Sequence, residues 1–445
     1  MLPTNPFHGH RAARSGPSRA KIAALAGVGV VAAAGAWFSF GHSSTHATGA
    51  APAMPIPTKP AVAVSAAPAA PVLPPLAKAP TQGLDLGGSP KLSVVVPKIA
   101  LFVEESRGYR FKNKVPVTPL ADKAFVAALR KADGSGRADP NAAASPKALH
   151  LLPVGLNTGS GRVPDSAYAG IVGFYDFRTK SLYVRGTTLN PLTQSIVAHE
   201  LTHALDDQYF NLAHVQKLGR NSDQAEAILS LIEGDARSVE NNFSQALVPG
   251  RQAQEDAERA AYLAHAAQGA GVSDVPDPFV LELDALFPYE LGSTFVGALH
   301  DQGGSATVDA AFAKPPTSTL QILDPDGHFV QRIDAVTVTA PTYPKSPGTK
   351  VIDRDSLGSL GLASVLAEGH PIDWNSEEVV SGWAGDSYVT TRAGATTCVR
   401  DNIKATSAKT AVALDKALTA WAGHHAGASV KATSKTGLLL VSCVG

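Results

Sequence analysis

The chain has 445 residues, enough for one large globular domain or two ordinary ones, and its 44% hydrophobic content allows a sizeable core. Its 38 Lys and Arg balance its 38 Asp and Glu, which excludes a polybasic nucleic-acid-binding protein and an acidic tail protein as default classes. With only two cysteines, it is neither a disulfide-rich small protein nor a Cys-ligated zinc ribbon.

The first 40 residues predict a membrane anchor. A basic tail at 1–21 is followed by an uncharged segment at 22–40, which as a helix would reach about 28 Å, close to one hydrocarbon core. Basic residues on the N-terminal side predict a cytoplasmic N-terminus and an extracytoplasmic remainder. The alternative is a cleaved signal peptide, after which the protein would be secreted.

Residues 41–90 are rich in Pro and Ala and carry few large apolar side chains, so we expect a disordered stalk there. Beyond it, the pattern predicts a main domain at 91–380 and a small C-terminal α+β unit at 381–445. The fold class that we expect is therefore α+β.

Local patterns in the main domain predict strands at 92–96 and 148–152 and a hairpin at 170–185. They also predict a helix starting at Thr118-Pro119, a helix from Asn190-Pro191 to Tyr209, and helices at 251–268 and 288–302. A further long helix is expected from Ser222-Asp223, where Asp223 and Glu226 have capping-box spacing.

The C-terminal unit is expected to contain strands at 388–391, 398–400 and 438–441 and a helix at 408–422. Cys398 and Cys443 lie near its two ends, and outside the cytoplasm we expect them to form one disulfide. Two unpaired buried cysteines are the alternative.

The most informative segment is His199-Glu200-Leu201-Thr202-His203. On a helix, His199 and His203 leave the same face, so both imidazoles can bind one Zn²⁺ at about 2.0–2.1 Å. Glu200 lies beside the first histidine, where its carboxylate can accept a proton from a water that the metal activates. Two solvated helix histidines are the alternative, but the apolar neighbours of this segment argue against it.

A catalytic zinc needs a third protein ligand, and Glu233 in the following helix is the best candidate. Glu233 lies among apolar positions at Leu229, Ile232 and Ala236, where a carboxylate is costly unless it binds a cation or a paired group. The alternative is an ion pair with Arg237, four residues on.

Further residues are expected to support the site. Asp207, four residues past His203, could hydrogen-bond that histidine from outside the metal's ligand set, and Asp235 is held in a similar supporting role. Gly234 predicts a close approach of the two helices that carry His199, His203 and Glu233. Tyr289 could donate a hydrogen bond to the oxyanion, although a packed tyrosine with a satisfied hydroxyl is the alternative.

Taken together, these segments resemble gluzincin-type zinc metallopeptidases, and in particular bacterial proteins described as neutral zinc metallopeptidases. The resemblance covers about 170–440 and is carried by Gly173-Phe174-Tyr175-Asp176, the segment 199–205, and the segments at 232–236, 287–289, 315–323 and 382–386. The chain departs from the pattern at Asp324, where relatives often carry His, so no metal or catalytic role is assigned to it.

The resemblance implies a zincin-like domain, mostly helical around the active-site helix, with one catalytic Zn²⁺. The expected function is an extracytoplasmic, membrane-anchored peptidase acting on peptides or proteins, attached to a bacterial-type membrane by one helix, with no nucleic-acid partner. Two alternatives are an inactive zinc-stabilised binding or scaffold protein, and a zinc amidase acting on cell-wall peptides.

Overall fold

The structure is a computed structural model that describes residues 82–88, 90–132, 141–152, 154, 168, 171–269, 287–367 and 381–445, with the backbone alone for 262–269. Within these residues no helix has both the length and the apolar character needed to cross a bilayer. The anchor predicted at 22–40 and the stalk as far as residue 81 lie outside the described part. Leu84, near the end of the predicted stalk, is hydrogen-bonded to the folded domain, since its amide donates to the Ala246 carbonyl at 2.7 Å.

The fold is mixed α+β, as predicted. The helices of the described part are α1 (Leu92–Arg107), α2 (Asp122–Ala132), α3 (Ala144–Ala148), α4 (Pro191–Phe210), α5 (Leu212–Gln216), α6 (Ser222–Ala246), α7 (Pro249–Gly269), α8 (Gly292–Gly303), α9 (Ser305–Ala313), α10 (Thr319–Leu323), α11 (Gly358–Ala367) and α12 (Ala408–His424), with π-helical turns at Phe287–Leu291 and Pro325–Phe329.

The strands form two separate sheets. The first sheet has the order β1-β3-β2, with β1 parallel and β2 antiparallel to β3; its strands are β1 (Val117–Leu120), β2 (Gly173–Asp176) and β3 (Ser181–Arg185). The second sheet is antiparallel with the order β4-β5-β6-β8-β7; its strands are β4 (Lys350–Asp355), β5 (Trp383–Ala393), β6 (Thr396–Ala405), β7 (Ala428–Ser434) and β8 (Gly437–Val444).

The hairpin predicted at 170–185 is confirmed as β2 and β3. Helix α4 packs between this hairpin, α1 and α6, in a core of aliphatic and aromatic side chains. From Pro191 to Asp207 every residue of α4 is buried except Glu200, which is half-buried. The helix that carries the histidine motif is therefore a central element of the domain.

The strand predicted at 92–96 is wrong, because these residues begin α1. The buried apolar side chains of α1 are Val95, Ile99, Phe102 and Val103, which recur with the helical period and face the core on one side. An apolar run of five residues is compatible with a strand or a helix. The spacing of the buried residues over the whole of α1 indicates the helix.

The strand predicted at 148–152 is also wrong. The Leu149 amide donates to the Ser145 carbonyl at 3.0 Å, and the Leu151 amide donates to the Pro146 carbonyl at 2.9 Å. These local bonds continue the turns of α3, so the segment does not extend into a sheet.

The C-terminal sheet confirms the predicted disulfide. Cys398 on β6 and Cys443 on β8 face each other in register and are bonded. The sheet also includes β4, so it recruits residues that precede the unit predicted at 381–445. Strands β4 and β7 lie at the two edges and contain no buried residue, which explains why they lack the apolar alternation that the sequence prediction requires.

Helix α6 begins at Ser222 with Asn221 as its cap, whose side chain accepts from the Gln224 amide at 2.8 Å. The predicted capping role of Asp223 is wrong. Its buried carboxylate instead accepts from the amide and hydroxyl of Thr319, at 2.9 and 2.5 Å, which ties α6 to α10. Burial, with further contributions from nearby Asp386 and Asp355, raises the pKa of Asp223 to about 7.

We expect Asp223→Asn to remove a pH-dependent part of the free energy of unfolding. Because the folded-state pKa of about 7 exceeds the unfolded value of 3.8, protonation of Asp223 favours folding. This contribution is full below pH 3.8 and is lost as the pH rises through about 7. Urea unfolding between pH 5 and pH 8 should therefore show wild-type stability falling relative to the variant, whose amide does not titrate. If the free energies of unfolding of the wild type and the variant differ by the same amount at every pH, the raised pKa of Asp223 is contradicted.

Candidate metal centre

Helix α4 holds His199 and His203 on one buried face. Its start is fixed by Asn190, whose side-chain oxygen accepts from the Thr193 amide at 2.9 Å, and by Pro191 at the first helical position. The two histidines are only 6% and 5% exposed. Buried imidazoles at this spacing require polar partners.

Glu233 on α6 supplies those partners. Its Oε2 atom lies 3.1 Å from Nε2 of His199 and 3.3 Å from Nε2 of His203. The ligating atoms of the three residues all lie within 4.8 Å of one another. In a tetrahedral site with bonds of about 2.0–2.1 Å, ligand atoms are about 3.3–3.4 Å apart. The predicted trio is brought together, with a spacing that could hold a metal ion.

The ion pair between Glu233 and Arg237, considered from the sequence, is replaced by other contacts. Arg237 donates from Nη1 to Glu240 Oε1 at 2.8 Å and from Nη2 to Glu290 Oε1 at 3.1 Å. The arginine is therefore bound by other carboxylates, and the Glu233 carboxylate faces the histidines.

The electrostatics of the trio favour a cation. Burial lowers the pKa of His199, but hydrogen bonds to Glu233 and Glu240 and the nearby Glu200 outweigh this effect and raise the pKa to about 10. Burial raises the pKa of Glu233, yet His203 and His199 lower it far below the usual 4.5. A metal ion bound here would replace the proton of His199, since a ligating imidazole must be neutral.

Glu200 lies beside the trio and contacts the hairpin. Its Oε2 accepts a hydrogen bond from the amide of Tyr175 on β2 at 2.8 Å. Burial raises the pKa of Glu200, against the opposing charges of His199 and His203. A carboxyl group with a raised pKa holds a proton more readily and is suited to accept and return one.

Tyr289 stands on the other side of His199. The two rings are stacked with centroids 6.0 Å apart and an interplanar angle of 28°. Burial, followed by the charges of Glu233 and Glu200, raises the pKa of Tyr289 well above 10, so its hydroxyl stays protonated and can donate.

A contact between two glycines positions the turn that carries Tyr289. A Cβ atom on Gly234 would lie 2.2 Å from the carbonyl carbon of Gly292, and one on Gly292 would lie 2.3 Å from the Ser230 carbonyl oxygen. The close approach to α4 that was expected at Gly234 is wrong, because the helix that packs on this glycine is α8. Because neither position has room for a side chain, the backbone of α8 rests directly on α6 beside the metal centre.

We expect Gly234→Ala to destabilise the protein by about 1–3 kcal/mol, as overpacking of a close contact does. The matched control is Gly297→Ala, also within a helix, where an added Cβ meets no heavy atom within 4 Å. That variant should gain up to about 1 kcal/mol from helix propensity. Urea denaturation compares the two, and equal stability of both variants would contradict the packing argument.

The structure places Asp207 differently from the sequence prediction. Its Oδ2 accepts from the Tyr175 hydroxyl at 3.0 Å and from Lys180 Nζ at 2.5 Å, and its Oδ1 accepts from the Leu212 amide at 3.1 Å. The predicted hydrogen bond to His203 is wrong, since Nδ1 of that histidine has no hydrogen-bond partner among the described residues. Asp207 instead anchors the hairpin to the end of α4.

Asp235 also lies apart from the metal-binding atoms. Its carboxylate is 2.9 Å from Nε of Arg107, a guanidinium only 3% exposed that also contacts Asp206 at 3.0 Å and Asp309 at 3.1 Å. The arginine joins α1, α4, α6 and α9. Asp235 therefore helps to fix the helices that carry the ligands, and the predicted position beside a metal ligand is not confirmed.

Glu240 is a contact of the centre that the sequence analysis missed. Its Oε2 lies 3.2 Å from Nδ1 of His199. The available signal was its position seven residues after Glu233, two turns along the same helix face, next to the apolar Val239.

Comparison with known proteins adds no family assignment: no protein-family model matches the chain, and no curated protein or solved structure is significantly similar to it. The function must therefore be argued from the site itself.

Proposed function

We propose that this protein is a zinc-dependent peptidase whose site is formed by His199, His203, Glu233 and Glu200. The observation that carries the proposal is the convergence of two imidazole nitrogens and one carboxylate oxygen beside a half-buried glutamate. The sequence resemblance to gluzincins and the zincin-like fold that it implies are part of this proposal.

The donor set supports zinc as the metal. Two imidazoles and one carboxylate in tetrahedral spacing are typical of catalytic zinc, which keeps its fourth position for water or substrate. When bound, the ion supplies a Lewis acid that polarises a carbonyl group and lowers the pKa of water.

The surrounding residues support peptide hydrolysis. Glu200, oriented by the Tyr175 amide, accepts a proton from the attacking water and passes it to the leaving amine. Tyr289, held protonated, donates a hydrogen bond to the oxygen on which negative charge develops. The ligands are fixed by the helices, so the geometry exists before substrate arrives.

The sheet brings its edge strand β2 to the proposed base. A Cβ on Gly173 would lie 3.6 Å from Cγ of Glu200, so the strand passes directly beside that carboxylate. All four residues of β2 are buried, and the Tyr175 amide donates to Glu200, so the strand orients the base.

The cellular location is part of the proposal. The disulfide between Cys398 and Cys443 supports an oxidising, extracytoplasmic compartment. The basic tail and the uncharged segment at 22–40 support a single-pass anchor with a cytoplasmic N-terminus, or secretion if that segment is cleaved.

The test is cleavage of a peptide mixture by the purified protein, followed by mass spectrometry. We expect cleavage that a zinc chelator abolishes and added zinc restores. A folded, zinc-loaded protein that cleaves no peptide would contradict the peptidase and favour the binding or scaffold alternative. Cleavage confined to cell-wall peptides would indicate the amidase.

A further inference from the structure

We propose that Glu240 is a positioning residue that orients His199 toward the metal. The inference rests on the proposed metal centre and adds a residue to it. Glu240 is on α6, only 3% exposed, and its Oε2 lies 3.2 Å from Nδ1 of His199, the ring nitrogen on the side away from Glu233.

The two oxygens of Glu240 have different partners. Oε1 accepts from Arg237 Nη1 at 2.8 Å and from Arg259 Nη2 at 3.0 Å. Because both arginines bind the same oxygen, Oε2 is directed toward the histidine. A carboxylate between two guanidinium groups stays ionised and keeps one orientation.

Helix α7 holds this arrangement from outside. Arg259 also donates to Glu255 Oε1 at 2.9 Å, and Glu255 in turn accepts from the Ser244 hydroxyl at 2.8 Å. Glu255 is 2% exposed. The chain of contacts therefore runs from α7 through Arg259 and Glu240 to His199, although α7 contributes none of the proposed ligands.

The consequence concerns the orientation of the His199 ring. With Nδ1 held beside the Glu240 carboxylate, Nε2 faces Glu233 and the proposed metal. Glu240 thereby selects the ligating nitrogen and the rotation of the ring, without touching the metal or the substrate.

The experiment compares Glu240→Gln with the matched control Glu255→Gln. Each removes one buried carboxylate that binds Arg259, but only Glu240 faces His199. Zinc affinity of the full chain is measured by competition with a chromophoric chelator. We expect Glu240→Gln to weaken zinc binding about 10–100-fold, the effect of losing a carboxylate that contacts a ligand from outside the metal's ligand set. Glu255→Gln should reduce the affinity far less, because Arg237 and Arg259 still bind Glu240.

A second readout is the visible spectrum of the cobalt-substituted protein. It should change in Glu240→Gln, because the ligating ring reorients, and stay unchanged in Glu255→Gln. If Glu240→Gln does not fold, Glu240→Asp keeps the charge for Arg237 and Arg259 but withdraws the carboxylate from His199, and the same changes are expected.

Equal loss of zinc affinity in both variants, or no loss in Glu240→Gln, would overturn the positioning role. These readouts need no substrate. A protein that binds zinc with the expected difference but cleaves nothing leaves the inference standing and removes the peptidase, whereas a wild-type protein that binds no zinc overturns both.

Discussion

Glu200→Gln is expected to lower peptide cleavage by at least about 100-fold while zinc remains bound, as the loss of a general base does. The amide keeps the size of the side chain and can still accept from the Tyr175 amide, a bond that measures 2.8 Å in the wild type. It cannot take up a proton from water. The defect should therefore appear in turnover, with zinc affinity and the free energy of unfolding close to wild type.

The matched control for this variant is Glu104→Gln on α1. Glu104 also accepts a backbone amide, from Phe111 at 2.8 Å, but has no contact with the metal-binding residues among its described bonds. Steady-state cleavage and zinc content are measured for both variants. Normal turnover in Glu200→Gln would show that the carboxylate is not the base, and the catalytic interpretation would then fail.

Glu233→Ala is expected to abolish stable zinc binding. It removes the oxygen that lies 3.1 and 3.3 Å from the two ligating imidazole nitrogens, leaving two protein ligands. The loss of affinity should exceed the about 10–100-fold typical of a residue that contacts a ligand from outside. Cleavage should be lost with the metal. Zinc content after dialysis, measured by mass spectrometry, gives the result directly.

Asp207→Ala tests whether the third ligand comes from α4 or from α6. Asp207 binds Tyr175 and Lys180, so its removal should loosen the hairpin and leave zinc in place. If Asp207→Ala lost its zinc and Glu233→Ala retained it, the third ligand would be on α4. Circular dichroism of both variants verifies that each is folded.

The elements of the site that the sequence predicted are those with local signals. The four-residue spacing of His199 and His203 fixes a shared helix face, and the apolar neighbours of Glu233 mark a carboxylate that needs a cation. Asn190-Pro191 marks the start of α4 in both sequence and structure. These features depend on residues within one or two helical turns.

The parts that the sequence missed depend on distant residues. Asp207 has the spacing to reach His203, but Tyr175 and Lys180 from the hairpin bind it instead. Glu240 becomes a partner of His199 only after α4 and α6 pack together. No local pattern reports which of several carboxylates a tertiary contact will select.

The same distinction between local signals and contacts with distant residues holds for the fold. The hairpin has two short apolar segments on either side of a polar turn, a local signal that predicts it correctly. The start of α1 has an apolar run too short to separate helix from strand, and the edge strands β4 and β7 are polar because they face solvent. Backbone pairing with β5 and β8, and no apolar pattern of their own, places these two strands in the sheet.

X-ray absorption spectroscopy of the zinc-loaded protein tests the central claim most directly, because it reports the atoms bound to the metal. We expect two imidazole nitrogens and a carboxylate oxygen at about 2.0–2.1 Å, with one further light atom, and the multiple scattering of two imidazoles. A zinc spectrum with one imidazole or none would contradict the assignment of His199 and His203 as ligands.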